Sequence, residues 1–336
     1  MSYREPDQNE YANISYAPET EFKTGIAIGS VSGWPGILME SQELPFKEVE
    51  FKQLYTAGHT ESNVAAGQLP SQTIELKNTY RGRLNWIMQN RNLMEQIFGK
   101  LTTTTNTPTS YNTHVYNTGR ADCMPLPSFT LAGWIDKDGD GYVEDIDKSM
   151  RFEGCKISST TWTFNEGEEL TVESEVAACS QSDQTAFPGA LNEITTRPYQ
   201  FTDGTLTVFG AVYARVKSGS ITLGYNLEEK WYTNADPYDL KEKRAEITAS
   251  LTLVMSGDDL WDLMNADPIA STVLQIDFVR TAAQDTFQLK SLKAYPNIKP
   301  AFGGGEGEVE VTVDFVLNDL VGTFIDATAT DMIWGS

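Results

Sequence analysis

Residues 156–176 read KISSTTWTFNEGEELTVESEV. Residues 156–164 are rich in β-branched and aromatic side chains, and residues 170–176 alternate between apolar and polar types, which is the period-two pattern of a half-buried strand. The intervening Asn165-Glu166-Gly167 is typical of a tight turn. The stretch therefore predicts a β-hairpin. Three apolar side chains of its second strand are expected to face the core: Leu170, Val172 and Val176.

Similar alternation predicts further strands on both sides of this hairpin. Later in the chain it covers Leu206–Val216, Ile247–Met255, Val273–Phe278 and Val309–Leu317. Before the hairpin, the imperfect pattern of Phe46–Leu54 indicates a strand with bulges or at a sheet edge, and Gln72–Lys77 is a second strand. The fold is thus predicted to be mainly β, with one face of each strand buried and the other wet or against another subunit.

Two amphipathic helices are predicted among these strands. Leu84–Phe98 carries apolar side chains at three- and four-residue spacing and is followed by Gly99, a residue type that often ends a helix. Ser256–Met264 begins with a residue that can cap the helix, and Asp259 is placed to complete a capping box. The order strand, helix, strand then occurs once in each half, which leaves an internal duplication open.

Composition divides the chain into three regions. Residues 1–45 are glycine-rich and aperiodic, and predict an extended N-terminal arm with loops. Residues 46–120 form a first part with strands and a helix, which ends in the threonine-rich segment 102–120, a loop or a long exposed hairpin. Residues 121–336 form the second, strand-rich part. The arm and segment 102–120 lack a packable apolar face, so we expect them to contact other subunits and to order on assembly.

An acidic loop in the second part has the spacing of a calcium site. Residues 136–147 read DKDGDGYVEDID, with carboxylates at loop positions 1, 3, 5, 9 and 12 and glycine at position 6, as in calcium-binding loops. The pattern resembles dockerin-type loops. The alternative is an acidic turn between strands with no ion. The expected calcium ligands are the side chains of Asp136, Asp138, Asp140, Glu144 and Asp147 and the carbonyl of Tyr142.

Charge and hydropathy exclude several classes of partner. Acidic residues outnumber basic ones by 47 to 25, which gives a formal charge of −22 and makes binding to nucleic acid or an anionic membrane unfavourable. We expect no membrane span, because apolar runs stay below the roughly 18 residues required, and no export by a signal peptide. The three cysteines, Cys123, Cys155 and Cys179, lack metal-site spacing and are interpreted as isolated thiols in a reducing compartment.

Catalytic patterns are weak, and we predict that the chain is not an enzyme. His59 and His114 lie in glycine- and threonine-rich surroundings and are interpreted as surface polar residues. The glycine run at residues 301–307 lacks the lysine and following helix of a phosphate loop. Glu166, Glu168 and Glu169 are expected to be solvated charges at a hairpin turn rather than a carboxylate pair in a cleft.

The segment from Phe152 to Val172 resembles tail tube proteins of tailed phages and archaeal viruses. It opens with Phe152-Glu153-Gly154-Cys155-Lys156-Ile157, an aromatic-x-Gly-Cys-x-aliphatic pattern, and continues through Glu166-Gly167 into a second alternating strand. The glycine-rich residues 25–36 and the strands around the two predicted helices are also similar to that family.

The resemblance implies a β-sandwich or small barrel with one or two short helices and long loops. Such subunits join into rings of six, or of three duplicated chains, and the rings stack into a tube with other tail proteins. DNA passes through the lumen without specific binding. The protein would then be a virion tail component assembled in the host cytoplasm, with no catalytic residues.

Two other functions stay open at this point. One is a capsid or decoration protein of a virus, which a long helical spine at Leu84–Phe98 would favour. The other is a calcium-stabilised carbohydrate-binding β-sandwich, suggested by the acidic loop and the seven tryptophans.

Overall fold

The computed structural model describes most of the chain in separate stretches. They are residues 12–26, 39–54, 72–106, 111–118, 125–135, 148–184, 196–213, 215–254, 271–280, 285–300 and 310–326.

The first half of the described chain holds strands β1 to β10 and a single helix, α1. Their bounds are β1 Ala12–Pro18, β2 Met39–Glu43, β3 Lys47–Leu54, β4 Gln72–Ile87, α1 Met94–Phe98, β5 Lys100–Asn106, β6 Tyr111–Asn117, β7 Phe129–Ile135, β8 Lys148–Asn165, β9 Thr171–Ala177 and β10 Ser180–Gln184.

The second half of the described chain holds a one-turn 3-10 helix, Phe201–Asp203, and strands β11 to β20. The strands are β11 Gly204–Val208, β12 Ala211–Tyr213, β13 Val216–Gly224, β14 Glu228–Lys230, β15 Asp239–Lys241, β16 Glu246–Val254, β17 Thr272–Val279, β18 Thr286–Pro300, β19 Glu310–Leu317 and β20 Val321–Asp326.

Antiparallel pairing joins nearly all of these strands. A continuous path runs β5–β6–β20–β18–β19–β16–β13–β8–β9–β4. Strands β17, β11 and β12 branch from β18, while β7 and β10 branch from β8 and β1 pairs with β7. Strands β2 and β3 pair with β4, and β14 and β15 form a small sheet of their own. The predicted mainly β, sandwich-type fold is confirmed.

The hairpin predicted at residues 156–176 is present as β8 and β9. Trp162 lies opposite Val172 in the antiparallel register, and β9 buries Val172 and Val176 while exposing Glu173 and Glu175. Strands β16, β17 and β19 show the same alternation. Period-two patterning therefore located these strands correctly, because each has one face against the core.

Strand β8 serves two parts of the fold because it is long and bent. Its first half pairs with β7 and β10, and its second half pairs with β9 and β13. Gly154 lies between the halves with φ +62°, a left-handed conformation that glycine adopts without steric cost. The register with β7 shifts at the same place, between the Phe129–Cys155 and Leu131–Phe152 pairs, and the strand changes partners there.

The core is one cluster of buried apolar side chains with many aromatic contacts. Phe164 of β8 and Phe278 of β17 meet edge to face, with ring centroids 6.0 Å apart. Helix α1 closes one side of the core, because Phe98 packs on Trp162 with centroids 5.6 Å apart. Edge-to-face and offset contacts of this kind add to the burial of large apolar surfaces.

The predicted helix Leu84–Phe98 is wrong over its first part. Strand β4 continues to Ile87, and α1 comprises only Met94–Phe98. Leu84 and Trp86 are buried while Asn85 is not, so the same apolar residues also fit a period of two. Pairing with β2 on one side and β9 on the other decides in favour of the strand.

The stretch Leu206–Val216 is a tight hairpin and not a single strand. Phe209 and Gly210 have φ of 54° and 79°, as the central residues of a type I′ turn do, and β11 then pairs with β12. The prediction failed because phenylalanine is an unusual residue at positive φ, so the turn has no sequence signal before Gly210. The predicted helix Ser256–Met264 lies outside the described residues.

The two segments predicted to lack packing differ from that expectation. Within the arm, residues 12–18 form β1, whose Tyr16 is 1% exposed and lies in the core. Lys100–Asn106 and Tyr111–Asn117 pair antiparallel as β5 and β6, and a hairpin was one of the two predicted alternatives. The expectation that the arm orders only on assembly is therefore wrong for β1, and truncation of residues 1–20 would remove a core strand.

No helix in the described part of the chain has the length and apolar character needed to cross a bilayer.

Candidate functional site

A two-stranded ribbon extends beyond the sandwich. It consists of β3 and residues 72–80 of β4, paired antiparallel with a register shift near Phe51. Successive residues 73–76 of β4 are all exposed, and Phe51, Ile74 and Leu76 are 61%, 40% and 44% exposed. A ribbon that is open on both faces and carries apolar side chains is a candidate contact surface.

The ribbon is electrically balanced although the chain is strongly acidic. The described side chains 47–52 and 73–77 include three lysines and three glutamates. Lys77 and Glu50 approach to 3.1 Å across the strands, and Lys47 and Glu75 to 3.5 Å. Such exposed pairs contribute little stability. Because the lysines and glutamates are equal in number, the ribbon surface has no net formal charge although the whole chain carries −22.

The base of the ribbon is fixed by the segment between β14 and β15. Asn78 Nδ2 and Tyr80 Oη donate hydrogen bonds of 2.7 and 2.6 Å to one carboxylate oxygen of Asp236, and Trp231 Nε1 donates to the carbonyl of Asn78 at 2.9 Å. Lys77 Nζ lies 4.5 Å from the centre of the Trp231 ring. These contacts hold the ribbon at a defined angle to the sandwich.

The hydrogen bonds at Asp236 shift two pKa values in opposite directions. Burial and the neighbouring Asp236 carboxylate raise the pKa of Tyr80, so its hydroxyl stays protonated and donates. Partial burial acts to raise the pKa of Asp236, but hydrogen bonds from Tyr80 and Asn78 outweigh it and lower the pKa overall. The contact is therefore a phenol donating to a carboxylate.

Strand β5 forms a second open edge. In the described part of the chain it pairs with β6 alone, and its exposed residues are Thr102, Thr103 and Thr104. Residues 96–121 contain neither aspartate nor glutamate. The edge therefore lacks acidic side chains, and the charged residue of β5 is Lys100 at its start; the outer backbone groups of the following threonines are open to pairing with another strand.

His114 is buried, contrary to the prediction that it is a surface residue. Arg91 Nη1 and Thr103 Oγ1 lie 3.1 and 3.0 Å from its Nδ1, and Asp326 Oδ1 lies 3.4 Å from its Nε2. Because arginine can only donate, Nδ1 is the acceptor in the contact with Arg91, and Nε2 faces the Asp326 carboxylate. The residue joins β6, β5 and β20, and its partners are too far away in sequence to give a local signal.

An apolar cleft lies between the β11–β12 hairpin and β8. Its volume is about 280 Å³. Val212 of β12 lies at the mouth and is 65% exposed. The lining is predominantly apolar and comprises Phe164, Phe201, Gly204, Thr205, Leu206, Val212, Val216, Ile276 and Phe278.

The two described cysteines are buried thiols. Cys155 and Cys179 are both free. Burial raises the pKa of Cys155 well above its ordinary value and that of Cys179 to about 12. The reactive thiolate is therefore scarce at neutral pH. Cys123 lies outside the described residues.

The predicted calcium ligands, Asp136 to Asp147, lie outside the described residues. The strands on either side are described, and Ile135 pairs with Lys148 at the ends of β7 and β8. The acidic loop is thus the connection of a hairpin. Among the described residues no group of three or more histidine, cysteine, aspartate or glutamate side chains is placed to hold a metal ion.

The other sequence candidates have separate outcomes. Glu166, Glu168 and Glu169 are exposed at the β8–β9 turn, as predicted. His59 and the glycine run 301–307 lie outside the described residues.

The cleft was missed because its lining comes from segments far apart in sequence. The ribbon strands were predicted, but their exposure on both faces was not.

A comparison with protein families identifies one match that covers most of the chain. A family model described as phage tail tube protein matches residues 12–317. A search of curated proteins finds no match.

Proposed function

The chain belongs to the phage tail tube protein family, and on that premise we propose that it is the major tail tube subunit, which forms stacked rings around a channel for DNA. Family membership makes it a structural protein of the virion that assembles with itself and with other tail proteins. Ring formation, passage of DNA during ejection and assembly in the host cytoplasm are the proposed part.

The observation that carries the proposal is the ribbon of β3 and β4. Its open faces expose Phe51, Ile74 and Leu76, and its charges balance. Contact between copies of an acidic chain requires surfaces where repulsion is low and apolar area can be buried. The edge of β5, which carries no acidic side chain, meets the same requirement, and closing a ring covers such edges.

Two stoichiometries fit the proposal. One tube domain per chain gives a ring of six, and a duplicated chain gives a ring of three with pseudo-sixfold symmetry. In either ring the excess negative charge would keep DNA from adhering to the lumen. The family match does not favour the capsid, decoration or carbohydrate-binding alternatives.

Negative-stain microscopy of the purified protein tests the proposal directly. We expect rings or tubes with a central channel, alone or after addition of the other tail proteins. Light scattering on the same samples should give masses at multiples of six or three chains. A monomer that persists at high concentration and with its tail partners present would contradict ring formation.

We further propose that residues 136–147 bind one calcium ion as a structural staple. The support is the ligand spacing of the sequence together with the pairing of Ile135 with Lys148, which closes the loop at its base. Five ligand carboxylates held together repel one another, and a divalent cation offsets that repulsion.

A further inference from the structure

The ribbon and the apolar cleft lie on different strands of the connected sheet. Ile87, Thr171 and Thr163 pair in one row across β4, β9 and β8, and Phe164 of the cleft follows Thr163 directly. Phe51 pairs with Glu75, near the other end of β4. The stretch from Glu75 to Ile87 spans at most about 40 Å as an extended strand. An exposed apolar residue and an apolar recess therefore lie at separate places on the same chain.

The cleft is large enough for an aromatic side chain. Its volume is about 280 Å³, whereas an apolar cavity of roughly 150 Å³ accepts benzene. The walls are Phe164, Leu206, Ile276 and Phe278, which are buried, and Val212 stands exposed at the mouth. An inserted phenyl ring would meet aliphatic and aromatic neighbours and no described charge in the lining.

The exposed phenylalanine of the ribbon fits this recess. Phe51 is 61% exposed, its strand is charge-balanced, and Asp236 fixes the base of the ribbon. Aromatic anchors that fill pockets on a partner dominate many protein interfaces. A patch and a complementary pocket at different places on one chain give a head-to-tail contact, which repeats along an axis when it does not close.

We propose that Phe51 of one copy inserts into the cleft between β11–β12 and β8 of the next copy along the tube. The second copy is the occupant because the family assembles with itself and because a charge-balanced ribbon and a cleft without charged lining residues can meet without repulsion. This inference rests on the proposed tube function. Phe51 and the cleft make the axial contact between rings, whereas other surfaces such as the β5 edge make the contacts within a ring.

Mixed cysteine variants test the contact. One chain carries Phe51→Cys and the other Val212→Cys, both with Cys123→Ser, and the two chains differ in mass through a tag. After assembly and mild oxidation we expect a disulfide-linked heterodimer in the mixture. The matched control replaces Val212→Cys by Val316→Cys, a valine of similar exposure on β19, and should give no such product.

Substitution of the anchor gives a second readout. Phe51→Ser should raise the protein concentration required for half-assembly at least about tenfold, as expected for an interface anchor. The melting temperature of the unassembled chain should not change, because the side chain is exposed. Tyr295→Ser, at an aromatic residue of β18 that is 42% exposed, is the control and should leave assembly unchanged.

The outcomes separate this inference from the tube function. Tubes that form without a Phe51–Val212 cross-link, or that tolerate Phe51→Ser, overturn the axial contact and leave the tube function in place. Failure of the unmodified chain to assemble under all conditions overturns both. The contact is supported if the disulfide forms between Phe51→Cys and Val212→Cys chains but not between Phe51→Cys and Val316→Cys chains, and if Phe51→Ser assembles less well.

Discussion

At the scale of single residues, Asp236 links the base of the ribbon to the β14–β15 segment and makes its stability depend on pH. The pKa of Asp236 is lower in the folded chain than in the unfolded one. The carboxylate therefore contributes stability above pH about 4, and that contribution is lost as the pH falls through the folded pKa.

Asp236→Asn should lower the free energy of unfolding at pH 7 by about 1 kcal/mol, because hydrogen bonds to a carboxylate are replaced by weaker bonds to an amide. Denaturant unfolding at a series of pH values should show the difference from the unmodified chain narrowing below pH about 4. Tyr80→Phe removes the donor of one of the same hydrogen bonds and serves as a control. Because both substitutions affect that bond, the double variant should lose less stability than the sum of the two single losses. Equal stability of variant and unmodified chain at pH 7 would contradict the assignment.

Gly219 and Gly224 provide a matched pair of residues on β13. A Cβ at Gly219 would lie 2.3 Å from Phe164 Cζ and 2.6 Å from Leu251 Cδ2, whereas at Gly224 the nearest atom is 3.9 Å away. Gly219→Ala should therefore destabilise the fold by about 1–3 kcal/mol through overpacking. Gly224→Ala should be close to neutral. Thermal unfolding of both variants checks the prediction, and equal losses would show that the close approach at Gly219 is not real.

At the scale of elements, the sequence predicted strands better than helices. β9, β16 and β19 have one buried face, so their period is visible locally. The Leu84–Phe98 prediction failed because Trp86 lies at helical spacing from Leu93 and Ile97 although it also alternates with Leu84 as in a strand. Only pairing with β2 and β9 decides between the two patterns. His114 was wrongly predicted to be exposed, because its partners Arg91 and Asp326 come from distant segments of the chain.

The acidic loop between β7 and β8 gives a prediction at this scale. Calcium at a hundred times its dissociation constant should add about 2.7 kcal/mol, provided that it binds the folded chain alone. Chelator should then lower the melting temperature, and Asp136→Ala should remove the response. Glu166→Ala, at the exposed turn between β8 and β9, is the control and should keep it. If sodium, magnesium and calcium act alike at matched ionic strength, the loop holds no specific ion.

At the scale of the whole molecule, the family resemblance and the sandwich-type fold were accessible from sequence, but the assembly surfaces were only partly so. The strand at Phe46–Leu54 was predicted, and its imperfect alternation corresponds to a strand without a buried face. The cleft was not predicted because Phe164, Val212 and Phe278 belong to three strands far apart in sequence, β8, β12 and β17. Contacts between distant segments leave no local period in the sequence.

Net charge leads to a prediction about assembly. Copies with a formal charge of −22 repel each other, whereas the ribbon and the β5 edge contribute little to that repulsion. Raising ionic strength from 0.01 to 0.15 M shortens the screening length from about 30 to about 8 Å. The repulsion should fall, while apolar contacts such as Phe51 in the cleft are retained.

Sedimentation of the purified chain at several sodium chloride concentrations should therefore show half-assembly at lower protein concentration as salt increases. Whether assembly strengthens or weakens with added salt distinguishes apolar from ionic contacts, because tubes held mainly by salt bridges would dissociate as salt screens those bridges. Lys77→Gln combined with Glu50→Gln is the control, since it removes a balanced pair on the ribbon without changing net charge and should keep the salt response. Assembly that weakens with added salt would contradict a charge-balanced, apolar contact between copies.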